Sequence, residues 1–184
     1  MELLELLEQR SYATYKARLR ASKRLMTRNN AWNASLIATA TSTTIASVAL
    51  LANDGIYGPN GDTLFVCLAV LSLTASLVTS GLNYSGRSRD MFSNYRRIQR
   101  LSAEAERAKR TPSMQNFATV AELNAKYDEL LDGSENHTEA DYFHANGEGS
   151  KPASVRRESL LSFFPYISLI IPLLLLPPLL CWMF

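Results

Sequence analysis

Charge is missing from three long stretches of this sequence: residues 31–52, 63–85 and 160–184 hold no Asp, Glu, Lys or Arg. Each matches the roughly 20 residues a helix needs to cross about 30 Å of hydrocarbon, which excludes an ordinary soluble domain. Cysteine is scarce, and Cys67 and Cys181 both fall inside charge-free stretches, where they behave as small hydrophobes and argue against a disulfide framework. No glycine-rich phosphate loop, nucleophile elbow or cysteine cluster occurs, so the residues make no case for catalysis and call for no cofactor. A net charge of +2 is too small to draw the whole chain to nucleic acid.

What is present points to an all-α membrane protein: a transmembrane helical hairpin with long cytoplasmic helical extensions, and a third, C-terminal transmembrane helix. Spans 31–52 and 63–85 are joined by Asn53 to Asp62, a stretch of turn formers too short for a domain. The third span, 160–184, is broken by Pro165, Pro172, Pro177 and Pro178, which predicts a kink and an end to regular helix near Pro177–Pro178. All 19 basic residues lie either between Arg10 and Arg28 or between Arg87 and Arg157. The positive-inside rule therefore puts both segments in the cytoplasm, with the N-terminus inside and the C-terminus outside. Trp32, Tyr84 and Trp182 sit near span ends, as interfacial aromatics do. No cleavable signal is expected, because a charged segment of about thirty residues precedes the first span.

The first span is a weak hydrophobe. Six large aliphatics favour insertion by roughly 3 kcal/mol at about 0.5 each, against seven Ser and Thr residues. Ser35, Thr39 and Ser42 recur on one helix face, continued by Ala46 and Ala49, and Ser72, Ser76, Thr79 and Asn83 make a similar stripe on the second span. Such stripes either let helices pack closely or line a polar path once hairpins assemble. The spans carry no ionisable group, which argues against a proton relay or coupled transporter.

Residues 3–30 read as a basic helix with Tyr12, Tyr15, Leu19, Ser22 and Met26 on one face. Residues 86–110 read as a stalk with Met91, Tyr95, Ile98 and Leu101 on another, and the two are expected to pack together. Thr119 with Glu122 reads as a capping box opening a helix to 132, on which Val120, Leu123, Tyr127 and Leu130 share a face. Residues 143–159 read as a linker. His137, Asp141 and His144 share a face if their stretch is helical, but their spacing lacks the surroundings of a known metal motif, and no metal is expected. The basic residues beside the spans are accounted for by topogenesis, so direct nucleic-acid binding is not expected.

The basic helix with Tyr12 and Arg18, the paired spans, the Tyr-bearing stalk, Tyr127 to Leu131, and the Glu135, Asn136, His137 segment with Asp141 and Tyr142 together resemble the SLATT family. These are two-transmembrane membrane effectors of bacterial conflict systems, and the likeness covers about 1–142. It implies an antiviral role at the bacterial inner membrane, through a homo-oligomeric pore or membrane disruption that ends in growth arrest or cell death. It also implies control by an operon-encoded nucleotide-signal synthase, nucleotide sensor or reverse transcriptase. The alternative is a membrane scaffold that recruits a cytoplasmic defence enzyme. The third span departs from the family's two-span pattern.

Overall fold

A computed structural model describes residues 2–147 and 153–183. The first 52 residues contain neither proline nor glycine, so nothing interrupts the i to i−4 ladder, and they form one long helix, α1 (Glu2–Ala52). Then come α2 (Gly61–Leu82), α3 (Tyr84–Arg110), a 3₁₀ turn at Pro112–Met114, α4 (Phe117–Asp132), α5 (Glu139–Asn146), α6 (Ala153–Ile167) and α7 (Ile170–Met183). No strand occurs among the described residues. Three helical segments are long and apolar enough to cross a membrane: the later part of α1, α2, and α6 with α7. The chain divides into two compact units. One is drawn from Met1–Met26 and Ser85–Glu158, the other from Thr27–Tyr84 and Ser159–Phe184.

The first unit is a helical bundle. Along α1 the buried positions include the series Leu4, Leu7, Ser11, Thr14, Arg18, Ala21 and Leu25, with Ala17 and Ser22 beside it, and along α3 the series Met91, Asn94, Ile98, Leu101, Ala105 and Ala108, with Ser88 and Ser102. Both series alternate steps of three and four, the seam of a coiled coil. Leu4 and Leu7 pack with Ile98, Leu101, Ala105, Ala108 and, from α4, Leu123, Tyr127 and Leu130. The two helices pack as expected, and Ser22 of the expected face lies on the seam, but the buried face of α1 is shifted around the helix. Tyr12 and Met26 are exposed and Tyr15 is half-buried, because a face of Ala, Ser and Thr brings backbones closer than one of large side chains.

Three local readings are corrected. Asn83, read as part of the stripe on the second span, adopts φ 44°, ψ 44° and ends α2. Asparagine is among the few residues that tolerate this left-handed conformation, so Asn83 acts as a cap rather than as the end of a hydroxyl stripe. The N-cap of α4 is Asn116, whose side chain accepts from the Thr119 N–H at 2.8 Å. The capping box instead opens α5, where Thr138 and Asp141 exchange side-chain and backbone bonds. Helix also enters the stretch read as a linker, through Asn146 and again from Ala153.

In the second unit Ala46, Ala49 and Leu50 of α1 pack with Phe65 of α2 and with Leu175 and Leu179 of α7. The Tyr57 hydroxyl, in the turn between α1 and α2, donates to the Leu175 carbonyl at 3.0 Å. Gly61 opens α2 where a Cβ would lie 3.2 Å from Leu50 Cδ1 and 3.3 Å from Tyr57 Cβ, so a side chain there would press both neighbours back by a few tenths of an ångström. The apolar C-terminal segment breaks between α6 and α7 rather than at Pro177–Pro178, which lie inside α7. The break falls where Pro172 cannot donate to the Ser168 carbonyl four residues back. Ile171 instead donates to it at 3.2 Å in a tighter turn.

Leu7→Ala is expected to destabilise the first unit by about 2–5 kcal/mol, against less than about 0.5 for Leu3→Ala, because Leu7 is buried and Leu3 exposed. Thermal unfolding of the full-length protein in neutral detergent reads the difference.

Candidate functional site

Of the motif at residues 127–142, Tyr127, His137 and Asp141 are buried or half-buried in the first unit and Glu135, Asn136 and Tyr142 are exposed; the buried charge on its seam is Arg18. That side chain is fully buried. Its Nη1 donates to Asn94 Oδ1 on α3 and to Ser134 Oγ just past α4. Asn94 Nδ2 in turn donates to the Leu130 carbonyl at 2.8 Å, so α3 and the end of α4 are tied through one amide. Arg18 Nε and Nη2 find no hydrogen-bond acceptor, and no carboxylate pairs with this guanidinium among the described residues. Burial pulls its pKa below the ordinary arginine value.

Tyr127 reaches the same seam from α4. The Thr14 hydroxyl gives its proton to the Arg10 carbonyl at 2.8 Å, so the 2.8 Å contact between Thr14 and Tyr127 must be a donation from the Tyr127 hydroxyl. The Arg10 guanidinium lies over the Tyr127 ring, 5.5 Å from its centroid.

Asp141 is 1% exposed and takes both arms of Arg24, from Nε at 2.9 Å and from Nη2 at 2.8 Å. This fork geometry is the strongest arginine–carboxylate arrangement. Arg24 also lies 3.4 Å from Glu158, and Thr138 Oγ1 stands 3.0 Å from the same carboxylate. Glu135 is held in a second fork by Arg87, and that bonding keeps its carboxyl below the usual glutamate range. Tyr142 stacks on His137 with ring centroids 5.9 Å apart. Asn136 is exposed.

His137 precedes α5 and is not on it, so His137, Asp141 and His144 do not share a helix face. Asp141 is engaged by Arg24 and by the cap, and no cluster of three metal-ligating side chains occurs among the described residues. The acids of the motif, Asp141 and Glu135, pair with Arg24 of α1 and Arg87 of α3 and hold the segment against those helices. Arg24 and Asn94 were not picked out by sequence reasoning, and Arg18 entered only through the family resemblance. The signal was available in the three–four spacing from Leu4 to Leu25, which runs through Arg18.

The hydroxyl stripes lie in the second unit. Ser35, Thr39 and Ser42 are buried, with Ser35 bonded to Ser168 and Trp32 beside Phe164 at 6.1 Å between centroids. Ser42 and Thr43 donate to the Thr39 carbonyl at 3.0 and 2.8 Å, and Ser47 to the Thr43 carbonyl at 2.8 Å, so local bonds satisfy these hydroxyls. On α2, Ser72 and Thr79 are half-buried and Ser76 and Asn83 exposed.

His137 also makes stability depend on pH. Burial first, then the charge of Arg18, pull it below its ordinary 6.5, with Asp141 opposing. Below that value the unfolded chain binds the proton more readily than the folded one, so stability falls as pH drops and is constant above about pH 7. His137→Gln is expected to flatten the thermal stability profile between pH 6.5 and about pH 5. Glu135 contributes only below its ordinary 4.5.

A family model described as SMODS and SLOG-associating 2TM effector domain family 5 matches residues 1–184, so the match runs through the third apolar segment and not only the hairpin. No curated protein and no solved structure matches. With an all-α fold, membrane-length helices and a match over the whole chain, this chain belongs to the SMODS and SLOG-associating 2TM effector domain family 5.

Proposed function

We propose that this membrane effector acts in bacterial antiviral defence by regulated homo-oligomerisation in the inner membrane, opening a pore or disrupting the bilayer so that the infected cell stops growing. The supporting observation is the state of α2. It is long enough to span a membrane, yet within its unit only Gly61 and Phe65 are buried. Ser72, Ser76 and Thr79 therefore run along a helix largely uncovered by the rest of the chain, while the stripe on α1 is already covered. In hydrocarbon a row of small hydroxyl residues favours close packing against another helix, and a second copy supplies one. The N-terminus is placed in the cytoplasm and the C-terminus outside by the one-sided Lys and Arg. Release from a silent state is assigned to an operon partner: a nucleotide-signal synthase, a nucleotide sensor or a reverse transcriptase. The second reading, a scaffold that recruits a defence enzyme, draws on the helical bundle outside the spans.

Cells expressing the protein with its partner are expected, on infection, to lose membrane potential and admit a small impermeant dye. The Ser72→Leu, Ser76→Leu, Thr79→Leu variant should insert normally but stop both events. Growth arrest with normal potential and permeability sinks the pore reading, and arrest undiminished in the triple variant favours the scaffold.

A further inference from the structure

The outer side of the first unit carries a groove of about 700 Å³ between α1 and α3. Lys23, Arg89, Arg96, Arg97 and Arg100 line it, no carboxylate does, and none of the five is in an ion pair among the described residues. Elsewhere in the same unit several cations have a carboxylate partner, Arg24 with Asp141, Arg87 with Glu135, Lys109 with Glu8 and Lys126 with Glu122, whereas these five share one concavity without any. Arg96 and Arg100 are one helical turn apart, where like charges repel. A requirement for positive charge near a span sets how many Lys and Arg lie there, not their collection in one concavity from which acids are absent.

The floor is apolar at one end, where Met26 and Phe92 are exposed. The Arg96 guanidinium lies over the Phe92 ring at 5.9 Å, and Tyr95 packs against the same ring at 5.3 Å. The ring is therefore engaged in holding a cation over the groove and is not open for a flat ligand to stack on. Along the chain, Met26 comes five residues before the charge-free stretch 31–52, about 8 Å of helix rise. Ser88, also in the lining, comes three residues after 63–85. An array of cations beside an apolar end, on segments that adjoin two charge-free stretches in sequence, matches a phosphate carrying an acyl chain.

We propose that this groove is a phosphate-binding site, filled by the head group of an anionic phospholipid from the leaflet beside it. Arg96 and Arg100, one helical turn apart, hold the phosphate, and Met26 with Phe92 meets the start of the acyl chain. The bound anion relieves the repulsion among the five cations, so the lipid steadies the α1–α3 pair.

The test uses the full-length protein in neutral detergent, titrated with phosphatidylglycerol, phosphatidylcholine or sodium pyrophosphate, with bound molecules counted by native mass spectrometry. Phosphatidylglycerol is expected to bind saturably and phosphatidylcholine not. The Arg89→Gln, Arg96→Gln, Arg100→Gln variant should weaken binding by about tenfold or more, and Arg100→Gln alone by less. Arg156→Gln with Arg157→Gln, exposed cations outside the groove, should leave it unchanged. Equal weakening by both sets of variants means diffuse surface charge and overturns the site. Groove-dependent binding of pyrophosphate without phosphatidylglycerol keeps the phosphate chemistry but overturns the lipid. These readouts stand whether or not the protein permeabilises membranes.

Discussion

Where α1 meets α3, Ser22 Oγ donates to the Ser88 carbonyl and Ser88 Oγ donates back to the Ser22 carbonyl, each at 2.9 Å. Bonds from side chain to backbone in both directions require the two helix backbones to be close. Ala17, Ala21 and Ala105 are fully buried on the same seam and leave the room for it. That closeness has a consequence one turn away, because it leaves the Arg18 guanidinium no route to water. A buried cation is costly unless it is paired and hydrogen-bonded. Here the compensation comes from the neutral dipoles of Asn94 and Ser134.

The segment after α4 is shaped by that buried charge. Ser134 is its acceptor, His137 has its pKa lowered by burial and then by this charge, and Asp141 is paired with Arg24. Removing a neutral acceptor strands a cation, whereas removing the cation strands two weak acceptors. The loop is therefore more tolerant of losing Arg18 to an apolar side chain than of losing Asn94. The polar residues of the motif act as a latch that binds the loop and α5 to α1 and α3, which explains why they are spread over chemically unlike types.

The second unit obeys a different solvent. Its hydroxyls turn back on their own helix carbonyls or toward α6 and α7, and its proline-bearing segment bends where a carbonyl loses its donor. The same low dielectric makes the uncovered stripe on α2 a feature that another helix can satisfy. The basic groove of the first unit is open to water, so its charges act through salt-dependent attraction rather than through burial.

Residues 31–52, 63–85 and 160–184 declare three membrane segments because hydropathy is additive along a helix and needs no partner. The face of α4 with Leu123, Tyr127 and Leu130 was legible for the same reason, and so was the family. Only the tertiary structure decided which face of α1 is inside. Period alone does not rank a stripe of Ser, Thr, Ala and Arg18 above one of Tyr12, Leu19 and Met26. The winner depends on how near α3 can come, and that distance is a property of two surfaces together. The placement of Arg18 between Asn94 and Ser134, and the pairing of Arg24 with Asp141, rest on partners 76 to 117 positions apart in the chain, beyond the reach of any local pattern.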